Sequence, residues 1–166
     1  EPIAGSEGLS FYFEVNGVPM FAKGANLIPL GVFYNEATNE DIDWLLTSSV
    51  EANMNMVRVW GGGYYQPDAF YDLADEKGLL IWSEFMFACA LYPRSTDFLD
   101  LVEAEVIQQV RRLQSHPCIA LWGGNNENEI ALTWFKQSTE SRDLYVVDYV
   151  ELYINTLHRV VSSLDP

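Results

Sequence analysis

From residue 39 onward the apolar residues switch repeatedly between two spacings, every third or fourth position and then an unbroken run of four or five. The first spacing buries one stripe of a helix, and the second suits a parallel strand covered on both faces. The chain therefore reads as helix and strand in alternation, a succession of βα units. The first helix takes Thr38 or Asn39 as its cap, places Glu40 and Asp41 in its first turn, and lines Ile42, Leu45, Leu46 and Val50 along one side. A strand follows at residues 56–60. Pro67 suits a first helical turn, Phe70, Tyr71, Leu73 and Ala74 supply the apolar face, and Gly78 ends the helix. Residues 79–82 form the next strand. A longer helix starts near Asp97, carries Leu99, Val102, Val106, Val110 and Leu113, and stops at His116-Pro117, with Arg111 and Arg112 where they complement its dipole. The last strand covers residues 119–122, and a final helix is expected over residues 143–163.

Ahead of these units, residues 11–15 and 18–23 flank Asn16-Gly17, a strong short-range signal for a β-hairpin. The second arm is expected to run on into the first strand of the parallel sheet, ending at Asn26. Four βα units make half of an eightfold barrel, a fold that takes about 250 residues. The expected fold is α/β, the N-terminal half of a TIM (β/α)8 barrel over residues 21–166, preceded by a short β-hairpin in residues 1–20. Half a barrel leaves two open sheet edges. The chain also opens on Glu1 without a Met and closes at Pro166 directly after a helix, so the expectation is a piece of a longer polypeptide whose remainder completes the barrel.

Composition narrows the picture. With 166 residues, 49% hydrophobic and 14% aromatic, the chain supports one sizeable core and is short for two domains. Nine basic residues against 24 acidic ones give a formal charge of −15, with the acids scattered along helices as solvated faces. Nucleic acid is disfavoured as a partner, because phosphate binding needs clustered Lys and Arg. No apolar run approaches the roughly 18 residues of a membrane span, so no membrane partner is expected. Cys89 and Cys118 sit in apolar surroundings without ligand-like spacing and read as two buried thiols. The two histidines, His116 and His158, are far apart and belong to no ligand motif, which argues against metal. No Asn-x-Ser/Thr sequon is present, leaving the compartment open.

The chemistry concentrates where strands end. Residues 119–129, IALWGGNNENE, are a buried strand that delivers amides and acids, and in an α/β barrel functional groups sit just past the C-terminal ends of strands. Glu127 is the leading candidate for a catalytic acid. Asn26, Arg58 with Trp60, Glu84, and Asn126 stand at the ends of the neighbouring strands, so a barrel would bring all of them to one mouth. An indole beside carboxylates and amides suits a sugar, whose C–H faces stack and whose hydroxyls hydrogen-bond in pairs. Each residue also has a plainer reading. Arg58 could pair a barrel carboxylate, Trp82 lies within its strand and reads as packing, and Glu129 could be the working acid or simply start a helix. Trp60 is harder to read as core, because Gly61, Gly62 and Gly63 let the backbone turn and leave room beside the ring. Glycoside hydrolysis uses two carboxyls, and a proton donor needs its acid form stabilised by low-dielectric surroundings and a neighbouring carboxylate.

The segments VRVWGGGYYQPDAFYDLADEKGLLIW (57–82), FMFACALYP (85–93) and LWGGNNENE (121–129) resemble the catalytic barrel of β-mannosidases in glycoside hydrolase family 2, and KGANLIP (23–29) is similar to its first barrel strand. The resemblance covers nearly the whole chain. It implies a retaining exo-hydrolase that removes terminal β-D-mannose from oligosaccharides, without metal or organic cofactor, in a larger protein whose β-sandwich domains precede the barrel. Residues 1–20 are then the end of such a domain, if not a free-standing hairpin. The family's acid/base falls on Glu127, its preceding sugar-binding amide on Asn126, its site aromatic on Trp60 and its strand-end arginine on Arg58. Its nucleophile, a Glu on a later strand, has no counterpart here. Animal members imply a lysosomal location.

Two positions depart from the family pattern. Leu27 stands where Trp is usual, which is expected to remove an aromatic wall of the pocket. Glu84 stands where Asp is usual, one methylene longer, so a hydroxyl contact from that strand is expected to shift. β-Galactosidase or β-glucuronidase activity on the same fold, and a carbohydrate-binding protein without catalysis, are the competing readings. The Trp60-Gly61-Gly62-Gly63 run favours mannoside over the first.

Overall fold

The computed structural model describes residues 2–34 and 36–166. Strands β1 (Phe13–Val15) and β2 (Val18–Met20) pair antiparallel around Asn16 and Gly17, whose φ of 51° and 78° supply the two left-handed positions of a tight hairpin turn. The second arm does not continue into the parallel sheet. The Asn55 side chain accepts from the Lys23 N–H at 2.7 Å and donates to the Phe21 carbonyl at 3.0 Å, taking backbone groups a continuous ladder would need. Strand β3 (Gly24–Leu27) therefore opens a separate sheet.

That sheet has the order β3-β4-β5-β6, with β4 Met56–Val59, β5 Leu80–Glu84 and β6 Ile119–Gly123, all parallel. Together with its helices it matches part of a TIM-barrel-like fold. Period-two alternation divides its residues between two faces. Leu27, Val57, Val59 and Ile81 pack with Ile42 and Leu46 of α1 (Asn39–Glu51) and with Phe70, Tyr71 and Ala74 of α2 (Asp68–Lys77). Asn26, Arg58 and Trp82 fall on the other face, in register with one another across β3, β4 and β5.

Local sequence accounts for the helix ends. Thr38 caps α1 by accepting from the Asp41 N–H, while the Asp41 carboxylate accepts from the Thr38 N–H, a reciprocal capping box. Gly78 ends α2 at φ 71°. Val50, expected on the buried stripe of α1, is exposed because it falls in the last turn, beyond the sheet contact. Helix α3 (Thr96–Leu113) presents Val102, Val106 and Val110 to Leu152, Tyr153, Leu157, Val160 and Val161, forming a second core that also holds Phe85 and Phe87.

Residues past β6 are more broken than the pattern indicated. A 3-10 turn (Ile130–Thr133) and α4 (Lys136–Glu140) precede α5 (Arg142–Tyr149). The expected last helix is a rod in which α5 passes into a π-helical stretch (Val150–His158) and then α6 (Arg159–Leu164). Thr156 donates its hydroxyl to the Glu151 carbonyl at 2.8 Å, filling part of the widened turn. Among the described residues no helix is long and apolar enough to cross a membrane.

Candidate active site

Parallel register brings four of the six candidates into direct contact. Arg58 donates through Nε and Nη2 to Glu84 Oε1, at 2.9 and 2.6 Å. It also donates through Nη1 to Asn26 Oδ1 at 3.1 Å and through Nη2 to Asn126 Oδ1 at 2.6 Å. One guanidinium thus ties the ends of β3, β5 and β6 to β4. The Trp82 ring lies under it, 4.9 Å from the guanidinium carbon, so Trp82 shapes the inner face rather than filling the helix-side core. Its parity with Glu84, two residues on, was the sequence signal for that placement. Asn26, Arg58 and Trp82 line a groove of about 280 Å³.

Glu84 is 1% exposed, and its second oxygen accepts from the Gly61 N–H at 2.8 Å. Its extra methylene is spent on holding Arg58 and the glycine turn, and both oxygens are engaged there rather than offered to a ligand. Leu27 faces the helices in the core, so the change from the family's Trp alters packing under the strand end and removes no wall of the groove. Gly123, in register with Glu84, has to be glycine, because a Cβ there would come within 2.6 Å of Glu84 Cγ and Trp82 Nε1.

Trp60 stands apart from this network. The Gly63 N–H closes a turn onto the Trp60 carbonyl at 3.2 Å, and Gly62 lies against the indole, where a Cβ would collide with the six-membered ring. With Ile28, Pro29, Leu30 and Tyr64, Trp60 lines its own cavity of about 390 Å³. Its link to Glu84 runs through the neighbouring Gly61 amide.

Glu127 is exposed and faces a third cavity, about 520 Å³, with Asn125, Glu129, Arg142 and Tyr149 on its walls. The enclosed, low-dielectric surroundings expected of a proton donor are not built by these elements, since β6 is the last strand of the sheet and that side of Glu127 stays open. Glu129 precedes the 3-10 turn, which is the helix-starting placement.

Two residues that sequence reasoning passed over belong to this region. Cys89 is exposed, not buried, because it sits at the tip of the segment that continues β5, and its sulfur lies 3.3 Å from Asn126 Nδ2 and 3.5 Å from Glu127 Oε2. Asn128 is buried and donates to the Ala90 carbonyl at 2.9 Å, clamping the two strand-end loops together. Both lie within the segments FMFACALYP and LWGGNNENE that carry the resemblance, but no spacing marks either one as functional.

Among the described residues, Asp75, His116 and Cys118 are the set whose ligand atoms lie close enough to hold a metal, within 4.8 Å of one another. They already satisfy each other. His116 Nδ1 lies 2.7 Å from Asp75 Oδ2 and the Cys118 N–H donates to Asp75 Oδ1 at 2.8 Å. Burial, then the Asp75 carboxylate, push the Cys118 thiol far above its ordinary range, so the sulfur stays protonated. The cluster fits a clasp joining α2 to the start of β6.

No family model matches the chain. The rat β-mannosidase is 53% identical over 167 residues, covering 99% of this chain. The crystal structure of a β-D-mannosidase from Dictyoglomus thermophilum matches 96% of the chain with a TM-score of 0.84 and 41% identity. A Bacteroides uniformis β-glucuronidase, 24% identical with a TM-score of 0.74 over 90% of the chain, shares the fold. The chain spans 19% of the length of both the rat and the D. thermophilum proteins. Half of all positions are shared with a mannosidase from end to end, on the same arrangement of strands, and the chain therefore belongs to the β-mannosidases of glycoside hydrolase family 2.

Proposed function

We propose that the complete protein is a retaining exo-glycoside hydrolase that removes terminal, non-reducing β-D-mannose from β-mannosides, including oligosaccharides derived from N-glycans. Glu127 is its general acid/base, and the nucleophile is a Glu from a later strand outside these 166 residues. The observation that carries this reading is the Asn126-Glu127 pair at the end of β6, with Asn126 held by Arg58 at 2.6 Å.

The chemistry follows from that geometry. Glu127 protonates the leaving oxygen as the nucleophile attacks C1, then takes a proton from the water that releases the covalent glycosyl intermediate. Arg58 has donors only, so the Asn126 oxygen must face it and the amide NH₂ faces outward. One N–H points to Cys89 and the other is available to a sugar hydroxyl, a contact that can strengthen in the oxocarbenium-like state. The same logic leaves the Asn26 NH₂ free for the sugar, since its oxygen is taken by Arg58. Glu84 positions Arg58, and Trp60 offers a stacking face in the separate cavity it lines with Tyr64. No metal or cofactor takes part.

The remainder of the polypeptide closes the barrel, encloses Glu127 and brings the second carboxyl to about 5 Å from it, the spacing of a retaining pair. The fragment alone lacks turnover. A lysosomal location belongs to the same reading through the likeness to animal members.

The test is Glu127→Gln in the complete protein. Hydrolysis of alkyl β-mannosides should fall by about three orders of magnitude, while the glycosylation step of an activated aryl β-mannoside, which needs little protonation, falls far less. Unchanged rates on both substrates would overturn the assignment. Mannose binding by the wild type without any turnover would favour a lectin-like protein on this fold instead.

A further inference from the structure

We propose that Cys89 is a positioning residue for the acid/base, its thiol holding the Glu127 carboxylate and the Asn126 amide in one arrangement. This rests on the reading of Glu127 given above. The backbones that carry the two residues stay paired beyond the sheet. Phe85 N–H donates to the Gly123 carbonyl at 3.0 Å, Asn126 N–H to Phe87 at 2.9 Å, and Cys89 N–H to Asn126 at 2.9 Å. Both segments then turn at non-glycine residues in the left-handed region, Cys89 at φ 52° and Glu127 at φ 59°. Such a conformation costs about 1 kcal/mol or more per residue and persists where the surroundings impose it, commonly at functional sites. The surroundings here do so. Asn128 fastens the Glu127 loop to Ala90, the Tyr92 hydroxyl accepts from the Ala88 N–H at 3.2 Å, and Phe87 is anchored in the second core.

Side-chain chemistry then assigns the proton. Arg58 fixes the Asn126 oxygen on its own side, so Nδ2 is the group facing the sulfur and donates to it at 3.3 Å. Glu127 in its ionised form only accepts, so the S–H points to Oε2 at 3.5 Å. A hydrogen-bonded path therefore runs from buried Glu84 through Arg58, Asn126 and Cys89 to Glu127. Cys89 is its last link and touches the carboxylate directly. It leaves the other oxygen, Oε1, free for the leaving group.

The experiment uses the complete protein and compares Cys89→Ala and Cys89→Ser on an alkyl β-mannoside and on a 2,4-dinitrophenyl β-mannoside. Loss of the S–H should lower kcat/KM, which reads the glycosylation step, about tenfold for the alkyl substrate while kcat/KM for the activated one changes less than about twofold. Cys89→Ser, which keeps a donor, should restore the alkyl rate to within about threefold of wild type. Equal losses on both substrates, no loss, or failure of serine to rescue would each overturn the proposal. Methylthiolation of exposed Cys89 on the folded wild type, with Cys89→Ser as the resistant control, reads the same pattern without depending on refolding. Glu127→Gln in the same assays separates the two ideas. Its indifference to leaving group would sink the acid/base reading, whereas its sensitivity beside an indifferent Cys89→Ala would sink only the role of the thiol.

Discussion

Arg58 and Glu84 meet across adjacent parallel strands, with two guanidinium nitrogens on one carboxylate oxygen at 2.9 and 2.6 Å and the carboxylate almost wholly buried. The pair sits where β3, β5 and β6 are all within reach of one side chain, so it sets the mutual placement of three strand ends. Truncation of one partner strands the other. Arg58→Ala should destabilise the complete protein by about 3–5 kcal/mol, the usual cost of leaving a buried charge unpaired, measurable as a lower urea midpoint. Arg58→Lys keeps the charge but not the fork, and a single ammonium cannot serve Glu84, Asn26 and Asn126 together. Its stability loss should be smaller, while kcat/KM falls by about one to two orders of magnitude.

Gly123→Ala tests the close approach of β6 to β5. The new methyl would press on Glu84 Cγ and the Trp82 indole at 2.6 Å. Overpacking of this kind costs about 1–3 kcal/mol. Differential scanning calorimetry should show a lower Tm, and kcat should fall with it because Glu84 is displaced from Arg58. A Tm equal to wild type would mean that the sheet relaxes around the methyl.

Trp60 separates binding from chemistry. Trp60→Ala removes a stacking face lying outside the Arg58 network. KM for an aryl β-mannoside should rise about tenfold, with kcat changed much less. A drop in kcat at unchanged KM would assign Trp60 to the transition state instead.

The clasp at the far end of α2 predicts an acid dependence. Burial alone would raise the Asp75 carboxyl, but hydrogen bonds from Cys118 and His116 together hold it below its ordinary value. A depressed folded value stabilises the fold above the unfolded one, near pH 4, and the contribution is lost as pH falls through the folded value. The difference in urea midpoint between wild type and Asp75→Asn should therefore be constant from neutral pH down to about 5 and shrink below about 4. A difference that persists undiminished at pH 3 would contradict the clasp.

Much of the architecture was legible because periodicity reports burial directly. The capping box at Thr38, the left-handed Gly78, the Asn16-Gly17 turn and the stripe Val102, Val106, Val110 are local features whose physics is complete within a few residues. The strand ends were legible for the same reason, since each delivers a polar residue out of an apolar run. Contacts across strands were harder to read. The interruption between β2 and β3 depends on Asn55, more than thirty residues away, satisfying backbone groups at Phe21 and Lys23. The π-helical stretch packs Leu152, Tyr153 and Leu157 with Val102, Val106 and Val110 of α3, a contact that no window of that length records.

The sequence by itself determined the βα succession, the six polar and aromatic groups at the strand ends and, through its motifs, the family. Tertiary structure decided which of those groups meet. Parallel register placed Asn26, Arg58 and Trp82 side by side and turned Glu84 inward to a guanidinium, while Trp60 was directed to a cavity of its own. It also decided that Cys89, an ordinary apolar-looking thiol in the linear chain, ends beside Glu127. The physical reason is that a local pattern gives the face of the sheet on which a residue falls, whereas its hydrogen-bond partners are set by the pairing of strands distant in the chain.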